Sequence, residues 1–210
     1  MNCQNPVVSG VTVDGGYAEV MIAEARAITS IPDELTSAEA APLLCAGITT
    51  YNALRNVGLR GGDLVAVQGI GGLGHLGVQF ARQLGFHTVA IGRGGDKEKL
   101  AKDLGAHVYI DTGLAARGKL IVVGVPEAPI QLNAFPLVFG GRSISGSLKG
   151  TPIDSEDTLA FCVLENIRPM IEIAPLEQAA DAYARMMQGK ARFRMVLVTR
   201  NGVAQSAQVN

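Results

Sequence analysis

A strand, a glycine-rich turn and a helix follow one another at residues 63–85. Residues 64–67 form a short apolar run, and the apolar residues after the turn recur at helical spacing. The turn has the spacing Gly69-x-Gly71-x-x-Gly74. In a strand–turn–helix unit this spacing predicts a dinucleotide site, in which the glycines allow a tight turn, backbone approach to a pyrophosphate and close helix packing. The alternative is a purely structural turn, since the chain contains 26 glycines.

Composition and charge narrow the classes of function. The chain has 210 residues, of which 48% are hydrophobic and 18% charged, as in a globular protein with a sizeable core. The net charge of −1, without a basic block, argues against nucleic acid and anionic membrane partners. We expect a cytoplasmic protein, because the sequence shows neither a membrane span nor a signal peptide. Three widely spaced cysteines, Cys3, Cys45 and Cys162, do not indicate a disulfide framework.

Alternating strands and helices continue beyond the turn. The pattern predicts a strand at 87–91, a helix at 96–104 and a strand at 108–110. With the first unit these make β-α-β-α-β, half of a doubly wound parallel sheet. Further elements are expected on both sides: a hairpin at 11–22, a helix from Ser37 to about Leu54, strands at 119–124, 142–148 and 194–199, a helix capped by Asp154 or Ser155, an extended stretch at 167–173 and a helix at 177–189.

The join after the third strand is too short for this fold. Residues 113–118 alone separate it from the next apolar strand, at 119–124. A parallel connection needs about 10–12 residues or more, and a complete βαβ unit about 30. The strand at 119–124 therefore either pairs abnormally or follows a place where a unit is absent.

Five motifs, in order, resemble the zinc-containing, medium-chain alcohol dehydrogenases, and most closely their yeast-type branch. They are residues 14–19 (DGGYAE), 41–51 (APLLCAGITTY), the turn at 69–77, 122–126 (VVGVP) and 189–194 (GKARFR). The resemblance implies a nicotinamide-binding Rossmann domain and a barrel-like catalytic domain with a catalytic zinc and often a structural zinc. The expected fold class is α/β, a Rossmann-type doubly wound parallel sheet, incomplete here, with a remnant of the barrel-like domain.

The resemblance also implies roles for individual residues. Cys45 resembles a ligand of the catalytic zinc, Cys3 a ligand of the structural zinc, and Thr49 the residue beside the nicotinamide. The remaining implied contacts are to the cofactor: Gly69, Gly71, Gly72, Leu73 and Gly74 to the pyrophosphate and adenosine side, Val123, Gly124 and Val125 along the nicotinamide, and Arg194 to the pyrophosphate.

Two departures from the family's pattern bear on activity. The family supplies a further catalytic cysteine, a His-Glu motif and three more structural cysteines from a section before the position of Cys3, and this sequence has none of them. A catalytic zinc needs three protein ligands, and Cys45 alone is one. The second departure is the join at 113–118, where the family has another helix and a central strand. We therefore expect a form truncated at the N-terminus and shortened internally.

The end of the second strand bears on the choice of cofactor. NAD enzymes usually place an acidic residue there for the ribose hydroxyls, whereas an arginine suits the 2′-phosphate of NADP. Here Ile91 is followed by Gly92 and Arg93, with Lys97 nearby. The sequence therefore favours NADP(H) over NAD(H). The alternative is that Arg93 is a solvated surface charge.

These observations predict three regions and two candidate functions. Residues 1–45 would be a remnant of the catalytic domain, 46–165 the Rossmann domain and 166–210 the return to the catalytic domain. The favoured function is hydride transfer between NAD(P) and a small-molecule alcohol or aldehyde, with zinc as the Lewis acid in the full-length form. The alternative is a catalytically inactive, nucleotide-binding or oligomerising remnant, which could form a homo-oligomer through the sheet edge near 142–148.

Overall fold

The computed structural model describes residues 7–111, 119–124, 143–147 and 150–199. The helices are α1 (Ser37–Pro42), α2 (Ile48–Arg55), α3 (Gly74–Gln83), α4 (Glu98–Asp103), α5 (Pro152–Leu164) and α6 (Ala179–Met187). The strands are β1 (Leu64–Gln68), β2 (His87–Gly92), β3 (Val108–Asp111), β4 (Lys119–Val122), β5 (Ser143–Gly146), β6 (Ile171–Pro175) and β7 (Arg194–Val198). Of the helices in the described ranges, none has both the length and the apolarity needed to cross a bilayer.

The chain divides into two compact units. The central unit is Thr49–Lys149, and the terminal unit combines Met1–Ile48 with Gly150–Asn210. A parallel sheet with the order β1-β2-β3 is the frame of the central unit. Because the strands are parallel, their carboxyl ends lie at one edge, where Gly92 is paired with Asp111. The expected β-α-β-α-β half-sheet is confirmed.

Apolar side chains of α3 form the core of the central unit. Phe80 is fully buried and its ring packs against Tyr51 at a centroid distance of 5.4 Å. Two buried clusters join the helices to the sheet, one of Ile70, Val78, Ala90, Ala101 and Ala106 and the other of Val65, Ala81 and Phe86. These residues are the apolar runs and helical repeats that the sequence shows, so pattern and packing agree.

In the part of the chain that the structure describes, β1 lies at an edge of its sheet, although the corresponding strand of a complete doubly wound sheet is central. In the full order, 3-2-1-4-5-6, strand four lies beside strand one. Among the described residues β1 pairs with β2, while β4 pairs with β5 in a separate parallel sheet. Leu64 of β1 is 67% exposed, whereas a central strand is covered on both faces. This topology supports the expectation that one βα unit is absent near 113–118.

The expected hairpin at 11–22 is wrong. The described residues of that stretch form no strand, and an isolated bridge joins Ser9 to Val13. Val20 and Ile22 are 82% and 92% exposed. An isolated hairpin is marginal in water unless a further strand or a helix covers its apolar face, and these side chains are not covered.

Capping boxes begin two helices of the terminal unit. Thr36 Oγ1 accepts a hydrogen bond from the Glu39 N–H, and the Glu39 carboxylate accepts one from the Thr36 N–H. Thr151 and Asp154 make the same exchange at α5. Thr151 is thus the N-cap and Asp154 the third residue of the helix, N3, so the prediction that Asp154 or Ser155 caps this helix is wrong.

The last elements of the terminal unit are a parallel strand pair and a helix. β6 pairs with β7 from Ile171↔Arg194 to Pro175↔Val198, and α6 packs on both strands. The extended stretch expected at 167–173 becomes a strand only at Ile171, and the helix and strand expected at 177–189 and 194–199 are confirmed.

We expect Phe80→Ala to lower the free energy of unfolding by about 3–5 kcal/mol, because it removes a fully buried ring and leaves a cavity. Leu64→Ala, in the exposed edge strand, should cost less than about 1 kcal/mol. Urea unfolding followed by circular dichroism measures both. A cost for Leu64→Ala as large as that for Phe80→Ala would show that β1 is covered and would contradict its position at the edge.

Candidate functional site

The glycine turn is held between β1 and the end of β2. Gly69 has φ +85°, a conformation that glycine adopts without strain. Its N–H donates to the Ile91 carbonyl at 2.8 Å, and the Gly71 N–H donates to the Gly69 carbonyl at 3.1 Å. The turn is therefore fixed by backbone hydrogen bonds on both sides.

Gly74 lets α3 begin directly against this turn. A Cβ at position 74 would lie 1.8 Å from the Gly69 carbonyl oxygen, so no other residue fits. A Cβ at Gly71, by contrast, would meet no atom within 4 Å. The last glycine is required by packing, while the surface at the middle glycine is open to a ligand.

The N-terminus of α3 has the properties of a phosphate site. Its N-cap residue, Leu73, provides no side-chain cap for this ten-residue helix. Among the described residues, no hydrogen bond uses the N–H groups of Leu73 or Gly74. Unsatisfied N–H groups and the positive end of the helix dipole attract an anion. The dinucleotide's pyrophosphate therefore fits the residues present here.

The side chain of His75 contacts the backbone of the glycine turn. Its side chain is fully buried, and Nδ1 lies 2.9 Å from the Gly71 carbonyl oxygen. With its proton on Nδ1, the imidazole donates to that carbonyl. The helical repeat gave no signal for this contact, because it depends on the backbone of the turn.

The loop after β2 lies beside the glycine turn. The Lys97 ammonium donates to the Ile70 carbonyl at 3.2 Å. Arg93 is exposed and makes no hydrogen bond or ion pair within the described part of the chain. A Cβ at Gly92 would lie 2.2 Å from the Tyr109 hydroxyl oxygen, so an acidic side chain at this position would require the Tyr109 side chain to shift. The structure thus brings Gly92, Arg93 and Lys97 to the predicted site.

Tyr109 and Asp111, on β3, make hydrogen bonds to this loop, and neither residue was predicted from the sequence. The Tyr109 hydroxyl donates to the Gly94 carbonyl at 2.6 Å, and the Gly94 N–H donates to Asp111 Oδ1 at 2.9 Å. Desolvation, followed by the negative charges of Asp111, Asp96 and Glu98, raises the pKa of Tyr109, so the hydroxyl keeps the proton it donates. Asp111 is the last residue of β3, a position that could have identified it, whereas Tyr109 lies two residues earlier and gave no such signal.

The other predicted cofactor residues lie on several elements. Thr49 is partly buried near the start of α2, and Val123 and Gly124 follow β4. Arg194 is the first residue of β7, in the terminal unit. Val125 and Cys3 lie outside the described residues.

The described residues do not fit a catalytic zinc. Cys45 is exposed, in a π-helical turn at Leu43–Gly47. Within the described ranges, no group of three or more His, Cys, Asp or Glu side chains is placed to hold a metal ion. A catalytic zinc requires three protein ligands and an open position, so no reaction step through zinc follows from these residues.

A surface cavity of about 630 Å³ lies elsewhere, in the terminal unit. Its lining includes Asp33, Glu34, Glu39 and Arg168. Arg168 Nε lies 3.4 Å from Glu39 Oε1, so a cation and a carboxylate that line the cavity form an ion pair with each other. The cavity shares no residue with the glycine turn.

Comparison with known proteins relates the chain to alcohol dehydrogenases, although no protein-family model matches it. An alcohol dehydrogenase of Penicillium expansum is 38% identical over 93% of this chain and 67% of its own length. The alcohol dehydrogenase of Aeropyrum pernix superposes with a TM-score of 0.83 at 26% identity, over 94% of this chain and 69% of its own. The CAD of Helicobacter pylori, solved with NADP(H), superposes with a TM-score of 0.70 at 30% identity, over 80% of this chain and 57% of its own.

Alignment length supports an internal shortening. The chain spans about two thirds of the length of the Penicillium relative, and that alignment covers 228 residues. Since 93% of this 210-residue chain is about 195 residues, about 33 aligned positions have no residue here. This is about the length of one βαβ unit.

We expect Gly74→Ala to destabilise the central unit by about 1–3 kcal/mol, because its Cβ would overlap the Gly69 carbonyl. Gly95→Ala is the matched control, since its Cβ meets no atom within 4 Å and its φ is not positive. Denaturant unfolding compares the two variants. Equal stability of both would contradict the close approach of α3 to the turn.

The two described cysteines should differ in reactivity. Burial raises the pKa of the Cys162 thiol to about 12, whereas Cys45 is exposed. Since the thiolate is the nucleophile, iodoacetamide at neutral pH should label Cys45 in the folded protein and Cys162 only after unfolding. Peptide mass spectrometry measures both. Equal labelling rates in the folded protein would contradict the buried position of Cys162.

Proposed function

Since this chain belongs to the zinc-containing medium-chain alcohol dehydrogenase family, we propose that it binds a nicotinamide dinucleotide with the pyrophosphate at Gly69–Gly74. Members of this family are oxidoreductases that transfer hydride between NAD(P) and an alcohol or aldehyde. The proposal for this chain rests on one observation above all, the N-terminus of α3. Its N–H groups at Leu73 and Gly74 are unsatisfied by the described residues, and the surface at the neighbouring Gly71 is open.

We propose further that NADP(H) is preferred over NAD(H). Arg93 is an exposed cation next to the glycine turn and pairs with none of the described carboxylates. Position 92 is a glycine beside the Tyr109 ring, so it carries no acidic side chain that would accept from the ribose hydroxyls and repel a phosphate. The Asp111 carboxylate, at the end of β3, accepts the Gly94 N–H and thereby has part of its charge satisfied.

The described residues contain no group of side chains placed to hold a metal ion, and this favours a second candidate function, nucleotide binding without zinc-dependent turnover. The substrates of the family are small alcohols and aldehydes. In this chain, Thr49, Val123 and Gly124 would orient the nicotinamide. Within the described residues, however, Cys45 is joined by no set of metal ligands. The nucleotide site depends on none of the zinc ligands, so it persists in either candidate.

We expect the wild-type chain to bind NADPH more tightly than NADH in a titration of nicotinamide fluorescence. Arg93→Ala should weaken NADPH binding by about 10-fold or more, the usual effect of losing a charge-assisted hydrogen bond, and leave NADH unchanged. Arg60→Ala, at another exposed arginine of the central unit, is the matched control. Gly71→Ala should keep the fold and weaken the binding of both nucleotides, because its methyl group would occupy the open surface.

Absence of saturable binding for both nucleotides would contradict the proposed site. Tighter binding of NADH would contradict the preference alone. Zinc content measured on the same protein, together with alcohol oxidation, separates the two candidates. Stoichiometric zinc with turnover would support the family's reaction, and nucleotide binding without either would support the second candidate.

A further inference from the structure

Both peptide groups that flank Gly94 are held by side chains of β3. The N–H of the Arg93–Gly94 peptide donates to Asp111 Oδ1 at 2.9 Å, and the carbonyl of the Gly94–Gly95 peptide accepts from the Tyr109 hydroxyl at 2.6 Å. Gly94 has φ +76°, a conformation that glycine adopts without strain. We call this arrangement the Gly94 clamp. It fixes the backbone immediately after Arg93.

The clamp is anchored in the rigid part of the central unit. Tyr109 and Asp111 are two residues apart on one strand, so they lie on the same face of β3. The Tyr109 side chain packs against the buried cluster that contains Ile70 and Ala90. Asp111 is paired with Gly92 at the end of β2. The two hydrogen-bonding groups are therefore held in place independently of the exposed loop.

We infer that Tyr109 and Asp111 are positioning residues that set the discrimination between NADP(H) and NAD(H), because they hold the loop in the conformation that presents Arg93 to the 2′-phosphate. The inference rests on the proposed nucleotide site. Without the clamp, the loop would have to be ordered when the nucleotide binds, and that loss of conformational freedom would weaken binding. NADH has no 2′-phosphate for Arg93 to contact, so the clamp should matter much less for NADH.

Tyr109→Phe tests the clamp with the smallest change, since it keeps the partly buried ring and removes the hydroxyl. We expect the Kd for NADPH to rise about three- to tenfold, the effect of losing one hydrogen bond, and the Kd for NADH to change less than twofold. Tyr183→Phe, at an exposed tyrosine of the terminal unit, is the matched control and should change neither. If Tyr109 had a purely structural role, Tyr109→Phe would weaken the binding of both nucleotides equally, and this result would overturn the inference.

Asp111 is tested by two substitutions. Asp111→Asn keeps the Oδ1 acceptor and removes the charge, so NADPH should bind at least as tightly as in the wild type. Asp111→Ala removes the acceptor and should weaken NADPH selectively. An equal loss of NADPH binding in both variants would overturn the role of the hydrogen bond.

Limited trypsin digestion reports on the clamp without any nucleotide. Trypsin cleaves after the exposed Arg93, and we expect faster cleavage of the Arg93–Gly94 bond in Tyr109→Phe and Asp111→Ala than in the wild type. Unchanged cleavage in both variants would overturn the inference. If the wild type binds neither nucleotide, the proposed function and the inference both fail. If it discriminates between NADPH and NADH and Tyr109→Phe leaves the ratio of the two Kd values unchanged, the inference fails alone.

Discussion

The close approach of Gly74 to the Gly69 carbonyl is the contact on which the candidate site depends. A Cβ at position 74 would stand 1.8 Å from that oxygen, so the contact exists only because position 74 has no side chain. It places the N-terminus of α3 at the carboxyl end of β1, with N–H groups and the helix dipole directed to one point. The Gly69 hydrogen bond to Ile91 then links this point to the loop of β2 that carries Arg93.

The interruption of the sheet divides the nucleotide site unequally. In doubly wound proteins the ligand lies in the crevice where the strand order reverses, between strand one and strand four. Here the β1-β2-β3 half is intact, with a core built from α3 and α4, and it carries the groups that we propose bind the pyrophosphate and the adenosine end. β4 belongs to a separate pair with β5. We therefore propose that the adenosine half of the dinucleotide contributes most of the binding free energy, because the sheet is continuous there.

Local signals predicted the half-sheet and the glycine turn, because glycine spacing and apolar repeats directly determine a βα unit. The hairpin at 11–22 was wrong for a physical reason: alternating residues specify a strand only when another element covers their apolar face, and Val20 and Ile22 remain exposed. The Gly94 clamp could not be read from local sequence, because Tyr109 and Gly94 meet only through the pairing of β2 with β3. Cys45 resembled a zinc ligand by motif, but ligation needs partners from other parts of a chain, and the described residues do not provide them.

We propose above all that a nicotinamide dinucleotide is held at the N-terminus of α3 by groups that do not depend on zinc. Amide hydrogen exchange of the 210-residue chain, with and without NADPH, tests this claim most directly. In protein treated with a zinc chelator, we expect NADPH to slow exchange at the amides of residues 71–74 and of the loop at 92–95. Unchanged exchange at residues 71–74, or protection that appears only when zinc is added, would contradict it.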